Sequence, residues 1–133
     1  MEHRILSLNV RGLNKSTKQR QLFRWLHQQN ADVIFLQETY YPHKLSSSGK
    51  LNGGGGKIVE SHGSSHSRGV MILFKPKINV STDKIIRDKN SRYVLSEVFL
   101  DDVKFIFVNI YAPNDQTQQI HFLRDLSNTV PNN

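Results

Sequence analysis

Apolar residues along this chain come in short runs, and each run stops at a polar residue. Ile5, Leu6, Leu8 and Val10 form the first run, broken by Gly12 and Asn14, which predicts a buried or half-buried strand. Ser16-x-x-Gln19 has the form of a capping box, in which a hydroxyl and an amide answer the free N–H groups of a helix start. Leu22, Phe23, Trp25 and Leu26 follow at helical spacing among Lys18, Arg20, Gln21 and Arg24, predicting a helix over 17–29 with Trp25 in the core. Residues 33–36 are continuously apolar after the turn Asn30-Ala31-Asp32, as in a strand covered on both faces. A right-handed strand–helix–strand crossover brings both strand C-terminal ends to one edge, with Asn9 and Glu38 near those ends.

The pattern lapses over residues 40–66. Ser46-Ser47-Ser48-Gly49 and Gly53-Gly54-Gly55-Gly56 have little to bury and much entropy to lose, so they read as a flexible connector. No Gly-Lys-Ser/Thr follows the glycines, which argues against a phosphate-binding loop. Runs then resume at 57–60, 69–74, 77–87 (Ile78, Val80, then Ile85), 93–100 and 103–110, with Asp101-Asp102 as a two-residue hairpin turn. After Pro113, Asp115 or Thr117 caps a helix containing Ile120, Phe122, Leu123 and Leu126, and residues 130–133 fray. Helices over meander-connected strands predict an α/β sandwich with mixed or antiparallel sheets. There is no internal repeat and no interdomain linker.

Composition narrows the chemistry. The 133 residues suit one domain or part of a larger one. Cysteine is absent, which excludes disulfides, thiolate metal sites and a Cys nucleophile. The charge, 18 − 11 = +7 with six histidines neutral, is spread from Arg4 to Arg92 and beyond, as on a folded basic surface that favours polyanions. No stretch nears the ~20 apolar residues of a membrane span, and no signal-peptide core follows Met1, so the expectation is an intracellular protein with no membrane partner. His62 and His66 lie in a glycine-serine turn, and His121 sits inside an amphipathic pattern. Neither arrangement has the spacing of a zinc site.

Four of the runs end in or carry groups suited to phosphodiester chemistry. They are Ser7-Leu8-Asn9-Val10-Arg11-Gly12, Leu36-Gln37-Glu38-Thr39, Arg68-Gly69-Val70-Met71-Ile72-Leu73 and Asn109-Ile110-Tyr111-Ala112-Pro113-Asn114. Glu38 is the best ligand for a hard cation such as Mg²⁺, which prefers carboxylate oxygens and retained waters. Asn9 offers an amide oxygen to the same cation or an NH₂ to a phosphate. Tyr111 can donate to a phosphate oxygen or the attacking water, and Asn114 can hold a phosphate oxygen from the next turn. Taken singly, each has an ordinary structural reading: a solvated strand end, a packing tyrosine, turn asparagines.

In order and wording the set resembles the endonuclease/exonuclease/phosphatase superfamily, and most of all the endonuclease domain of LINE-type (non-LTR) retrotransposons. The resemblance implies a four-layer α/β sandwich of the DNase I-like kind and Mg²⁺-dependent nicking of DNA, with Mn²⁺ as possible substitute, in the nucleus. It makes Glu38 and Asn9 metal ligands, Tyr111 and Asn9 catalytic groups, and Asn114, Asn9 and Arg11 contacts to phosphate or DNA. The family's later Gly-Asp-Phe-Asn and Ser-Asp-His motifs do not occur here. Residues 1–133 are therefore expected to be the N-terminal portion of one such domain, incomplete, and weakly active or inactive alone. The same reasoning expects an uncovered apolar sheet face and self-association through it. A catalytically dead nucleic-acid-binding fragment and a phosphoesterase on a non-DNA substrate remain as alternatives.

Overall fold

The first apolar run becomes β1 (Ile5–Asn9), and the second, after the helix α1 (Ser16–Gln29), becomes β2 (Val33–Gln37). The computed structural model describes residues 2–13, 15–40, 56–63 and 68–130. The Ser46–Gly49 segment, Gly53 to Gly55, His66 and the last three residues lie outside the described ones. β1 and β2 pair in parallel, Ile5 to Val33 through Asn9 to Gln37, so their C-terminal ends share one edge.

Beyond β2 the chain turns antiparallel. β4 (Val70–Phe74) runs against β2 and against β3 (Ile58–Ser61), giving a mixed sheet ordered β1-β2-β4-β3. The second sheet is an antiparallel meander of β5 (Val80–Arg87), β6 (Tyr93–Leu100) and β7 (Val103–Ile110). Its β6–β7 hairpin turns at Asp101 (φ 48°) and Asp102 (φ 66°), both left-handed, as a primed two-residue turn requires. The change of apolar phase between Val80 and Ile85 is a β-bulge between Asp83 and Ile86, with Lys84 at φ 45°.

The sheets meet face to face. Val33, Val59, Val70, Ile72 and Phe74 of the first pack on Val94, Val98, Leu100 and Phe107 of the second. The expected uncovered inner face is thus covered. The meander that supplies three strands of the second sheet is already present in this chain.

On the other side of the first sheet, α1 lays Leu26 on Ile34, Leu36, Met71 and Leu73, flanked by Leu22 and Phe23. Trp25 is a correction: it is 44% exposed. At 3.6 residues per turn it lies about 100° round the helix from the centre of the Leu22–Phe23–Leu26 stripe. Gln19 does lie on that stripe. It is buried, with Nε2 donating to the Leu13 carbonyl at 2.7 Å, so it is drawn inward and away from a capping box. Ser16 is the first helical residue and Lys15 stands at the cap without a side-chain bond.

The last helix, α2 (Gln116–Thr129), is capped as expected by Asp115, whose carboxylate accepts from Gln118 N at 3.0 Å. It meets the second sheet where Phe122 lies edge-on to Tyr93, ring centroids 6.2 Å apart. The layers therefore run helix, sheet, sheet, helix. No described helix is long and apolar enough to cross a membrane.

Candidate active site

Glu38 follows β2 directly, and its backbone is left-handed (φ 55°). A non-glycine residue holds that conformation only where its surroundings impose it. Here the Glu38 carbonyl accepts from Gly12 N at 2.6 Å, and that of Thr39 accepts from Leu13 N at 2.6 Å. Thr39 N donates to Gly69 O at 3.1 Å and Tyr40 N to Arg68 O at 2.9 Å. The loop leaving β1 and the residues leading into β4 thus grip the peptide on both sides. Gly69 (φ 96°) permits the close approach, since a Cβ there would strike the Thr39 hydroxyl.

Tyr111 follows β7. Its N donates to Arg92 O at 2.7 Å, continuing the β6–β7 ladder by one step. The two sheets are tied just behind these residues by Asn109, which is 1% exposed. Its Nδ2 donates to the carbonyls of Leu36 (2.9 Å) and Met71 (2.7 Å), and its Oδ1 accepts from Gln37 Nε2 at 2.8 Å. A side chain of the second sheet thereby fixes the end of β2, next to Glu38.

The outcome is a cleft of about 200 Å³ lined by Glu38, Tyr40, Arg68, Arg92, Tyr111 and Asn114. The Glu38 carboxylate and the Tyr111 hydroxyl share this cleft, and hydrogen-bonding interaction with the carboxylate is the first cause that raises the phenol's pKa above its ordinary value. Burial and the carboxylate's charge raise it further, with Arg92 opposing. The Arg92 guanidinium lies 5.7 Å from the centroid of the Tyr111 ring. It is pulled below its ordinary pKa by burial first and by Arg68 second, against Tyr111 and Asp88.

Of the residues singled out from the sequence, Glu38, Tyr111 and Asn114 come together in this cleft. Asn9 stands at the same sheet edge, in register with Gln37, but it is exposed and outside the lining, with Oδ1 accepting from Arg11 N at 3.2 Å. Arg11 is exposed beside it (φ 48°) and its carbonyl accepts from Lys18 Nζ at 3.2 Å. His121 lines a different, larger cleft. Tyr40, Arg68 and Arg92 were missed as site residues. Their signal was position: Arg68 and Arg92 come just before or at the start of apolar runs, and antiparallel strands bring starts beside ends.

A resident cation would meet one carboxylate, Glu38, and one amide oxygen, Asn114, in this lining. Among the described residues no group of three or more His, Cys, Asp or Glu side chains could hold a metal alone. A donor set of that kind fits Mg²⁺, which keeps several waters and takes one or two carboxylates.

Solved structures share this architecture. TDP2 from C. elegans matches at TM-score 0.65 and 21% identity, over 96% of this chain and 42% of that one. The AP endonuclease LMAP from Leishmania major matches at 0.65 and 16%, over 90% and 44%. The endonuclease domain of TRAS1, a telomere-specific non-LTR retrotransposon, matches at 0.65 and 14%, over 96% and 54%. The chain thus spans about half the length of these structures and shares their DNase I-like fold. The sequence pattern of one family runs through residues 6–133, nearly end to end, and by it this chain belongs to the endonuclease/exonuclease/phosphatase family.

Proposed function

We propose that the cleft serves metal-assisted hydrolysis of a phosphodiester in DNA, weakly in this chain by itself. One observation carries the reading: a carboxylate and a phenol lining one cleft that also holds two guanidiniums. Cations and neutral donors facing one small space suit a phosphate.

Glu38, with the amide oxygen of Asn9, would hold Mg²⁺ or, in its place, Mn²⁺, and the bound ion would neutralise charge developing on the ester oxygens. The share of Asn9 requires its bond to Arg11 N to open. Tyr111, with its raised pKa, stays protonated at neutral pH and can turn its O–H from Glu38 to a phosphate oxygen. Asn114 donates its NH₂ to a second oxygen, while Asn9 and Arg11 meet the strand on the β1 side. Among the described residues the lining includes no histidine to activate water, and the Gly-Asp-Phe-Asn and Ser-Asp-His words do not occur in the sequence, so the activity is expected to be weak. With DNA as its substrate, the working protein would act in the nucleus.

Nicking of supercoiled plasmid tests this. Slow, Mg²⁺-dependent relaxation that is lost in Glu38→Gln and reduced in Tyr111→Phe is expected. Cleavage that survives Glu38→Gln overturns the reading. So does absence of cleavage at high protein excess combined with no Mg²⁺-induced change in the Glu38 side-chain NMR signal. Salt-sensitive DNA binding without any cleavage would favour a binding module, the reading to which the net charge of +7 also lends support.

A further inference from the structure

A second, larger cleft of about 670 Å³ adjoins the first, and Arg68 and Arg92 line both. We propose that these two arginines form a clamp for the phosphate adjacent to the one at Glu38 and Tyr111, so that a DNA strand lies across both clefts. The proposal rests on the hydrolytic reading and narrows it: the site takes a polynucleotide in preference to a small phosphoester.

Both guanidiniums are anchored from behind. Arg68 Nη1 donates to the Asn90 carbonyl at 3.1 Å, and Arg92 Nη1 to the Tyr111 carbonyl at 3.4 Å. Each such bond uses one of five N–H donors on a planar fork, and that fork matches two phosphate oxygens at once. Both residues are half-buried, and among the described residues neither forms an ion pair with a carboxylate. Arg68 is also held in the left-handed region (φ 62°), which sets its side chain at the seam between the clefts.

Two like charges brought together with partial loss of water repel each other. The lowered pKa of Arg92, with Arg68 among its causes, is one expression of that repulsion. An anion seated between them relieves it. The larger cleft continues the positive potential with Arg87 and Lys89, against Asp88 and Asp125. Arg87 Nε is occupied by the Glu60 carbonyl at 2.7 Å, and one Asp88 oxygen by Arg92 N at 3.1 Å. The net balance of that wall stays cationic. Tyr93 and Phe122 add an apolar patch for sugar or base. A lone phosphate meets the two arginines from the smaller cleft only, whereas a strand engages them from both.

The test is binding in EDTA, where no hydrolysis intervenes, of a fluorescein-labelled short DNA duplex and of deoxythymidine monophosphate. Arg68→Gln should weaken duplex binding about tenfold, the scale of one lost charge-assisted bond. It should also lower the duplex salt slope by about 0.9, one phosphate contact, and cost the mononucleotide clearly less than the duplex, because a single phosphate meets Arg68 from the smaller cleft alone. Arg92→Lys, which keeps the charge but loses the fork, should give a smaller loss and the parent's salt slope. Circular dichroism confirms that each variant is folded. Duplex affinity and salt slope unchanged in folded Arg68→Gln would overturn the clamp, as would equal losses for duplex and mononucleotide. Arg68-dependent binding without Glu38-dependent nicking would keep the clamp and sink the hydrolytic reading.

Discussion

Replacing Asn109 by Leu should be among the costliest single changes in this chain. The amide is 1% exposed and makes three hydrogen bonds, to Leu36 O, Met71 O and Gln37 Nε2, at 2.7–2.9 Å. Leucine fills a similar volume, so the cavity contribution is small and the polar loss dominates. Gln37 Nε2 retains Ser7 Oγ at 3.1 Å, so its share of the loss is minor. The carbonyls of Leu36 and Met71 stand opposite each other in the β2–β4 ladder and keep strand partners there, so each lost Asn109 bond costs about 0.5–1.5 kcal/mol. Over the three bonds the loss is about 2–4 kcal/mol, a large part of the roughly 5–15 kcal/mol that holds a domain folded. For a chain of this length that corresponds to a fall in Tm of roughly 6–16 °C. Urea unfolding followed by far-UV circular dichroism measures it, with an unchanged m-value showing that the folded and unfolded states stay comparable. Asn109→Asp keeps the shape but aims an oxygen at two carbonyls. Its carboxyl is pushed up, so its stability should recover in part as pH falls through that raised pKa. If Asn109→Leu were within about 0.5 kcal/mol of the parent, the idea that this amide binds the sheets together would be wrong.

Three further outcomes follow from other residues. Trp25, the only tryptophan in the chain, should fluoresce as a water-exposed indole, be quenched readily by iodide, and tolerate Trp25→Ala within about 0.5 kcal/mol. A blue-shifted, protected emission would contradict its placement. Gly69→Ala should destabilise by about 1–3 kcal/mol in chemical denaturation, because φ is 96° and the new Cβ meets the Thr39 hydroxyl; a neutral result would mean the Thr39–Gly69 contact is loose. Tyr111 has a folded-state pKa raised above the ordinary 10.0. Its contribution to stability is therefore fully present below that value and is lost as pH climbs through the folded pKa. Ultraviolet titration should show one late-ionising phenol that moves down in Glu38→Gln and vanishes in Tyr111→Phe; an unchanged late phenol in Glu38→Gln would separate the two residues.

The front of the fold was readable because its signals are local. The runs ending at Asn9 and Gln37, with one helix between, admit little besides a parallel pair, and the Asp101-Asp102 interruption admits little besides a hairpin. Local signals also misled. Ser16 and Gln19 have capping-box spacing, yet Gln19 lies on the buried stripe of α1 and bonds Leu13 O. Trp25 was grouped with its apolar neighbours, although its angle round the helix puts it in water. The site was half legible for a geometric reason. Looking for chemistry where strands end finds Glu38, Tyr111 and Asn114. β4 and β6 run the other way, so Arg68 and Arg92 reach the same edge from the opposite direction in sequence. That Asn109 crosses between sheets had no local trace at all, because the carbonyls it bonds lie 73 and 38 residues away along the chain.

Glu38 and Arg68 ride on one sheet, and Tyr111 and Arg92 on the other. The candidate site is thus assembled only when the halves of the sandwich dock in correct alignment. A slip of one residue, about 3.4 Å along a strand, is longer than a hydrogen bond and would part carboxylate from phenol. Mechanical fit and chemical competence are one variable in such a molecule. A mutation far from the cleft can silence it merely by letting one layer slide over the other, while every strand remains intact.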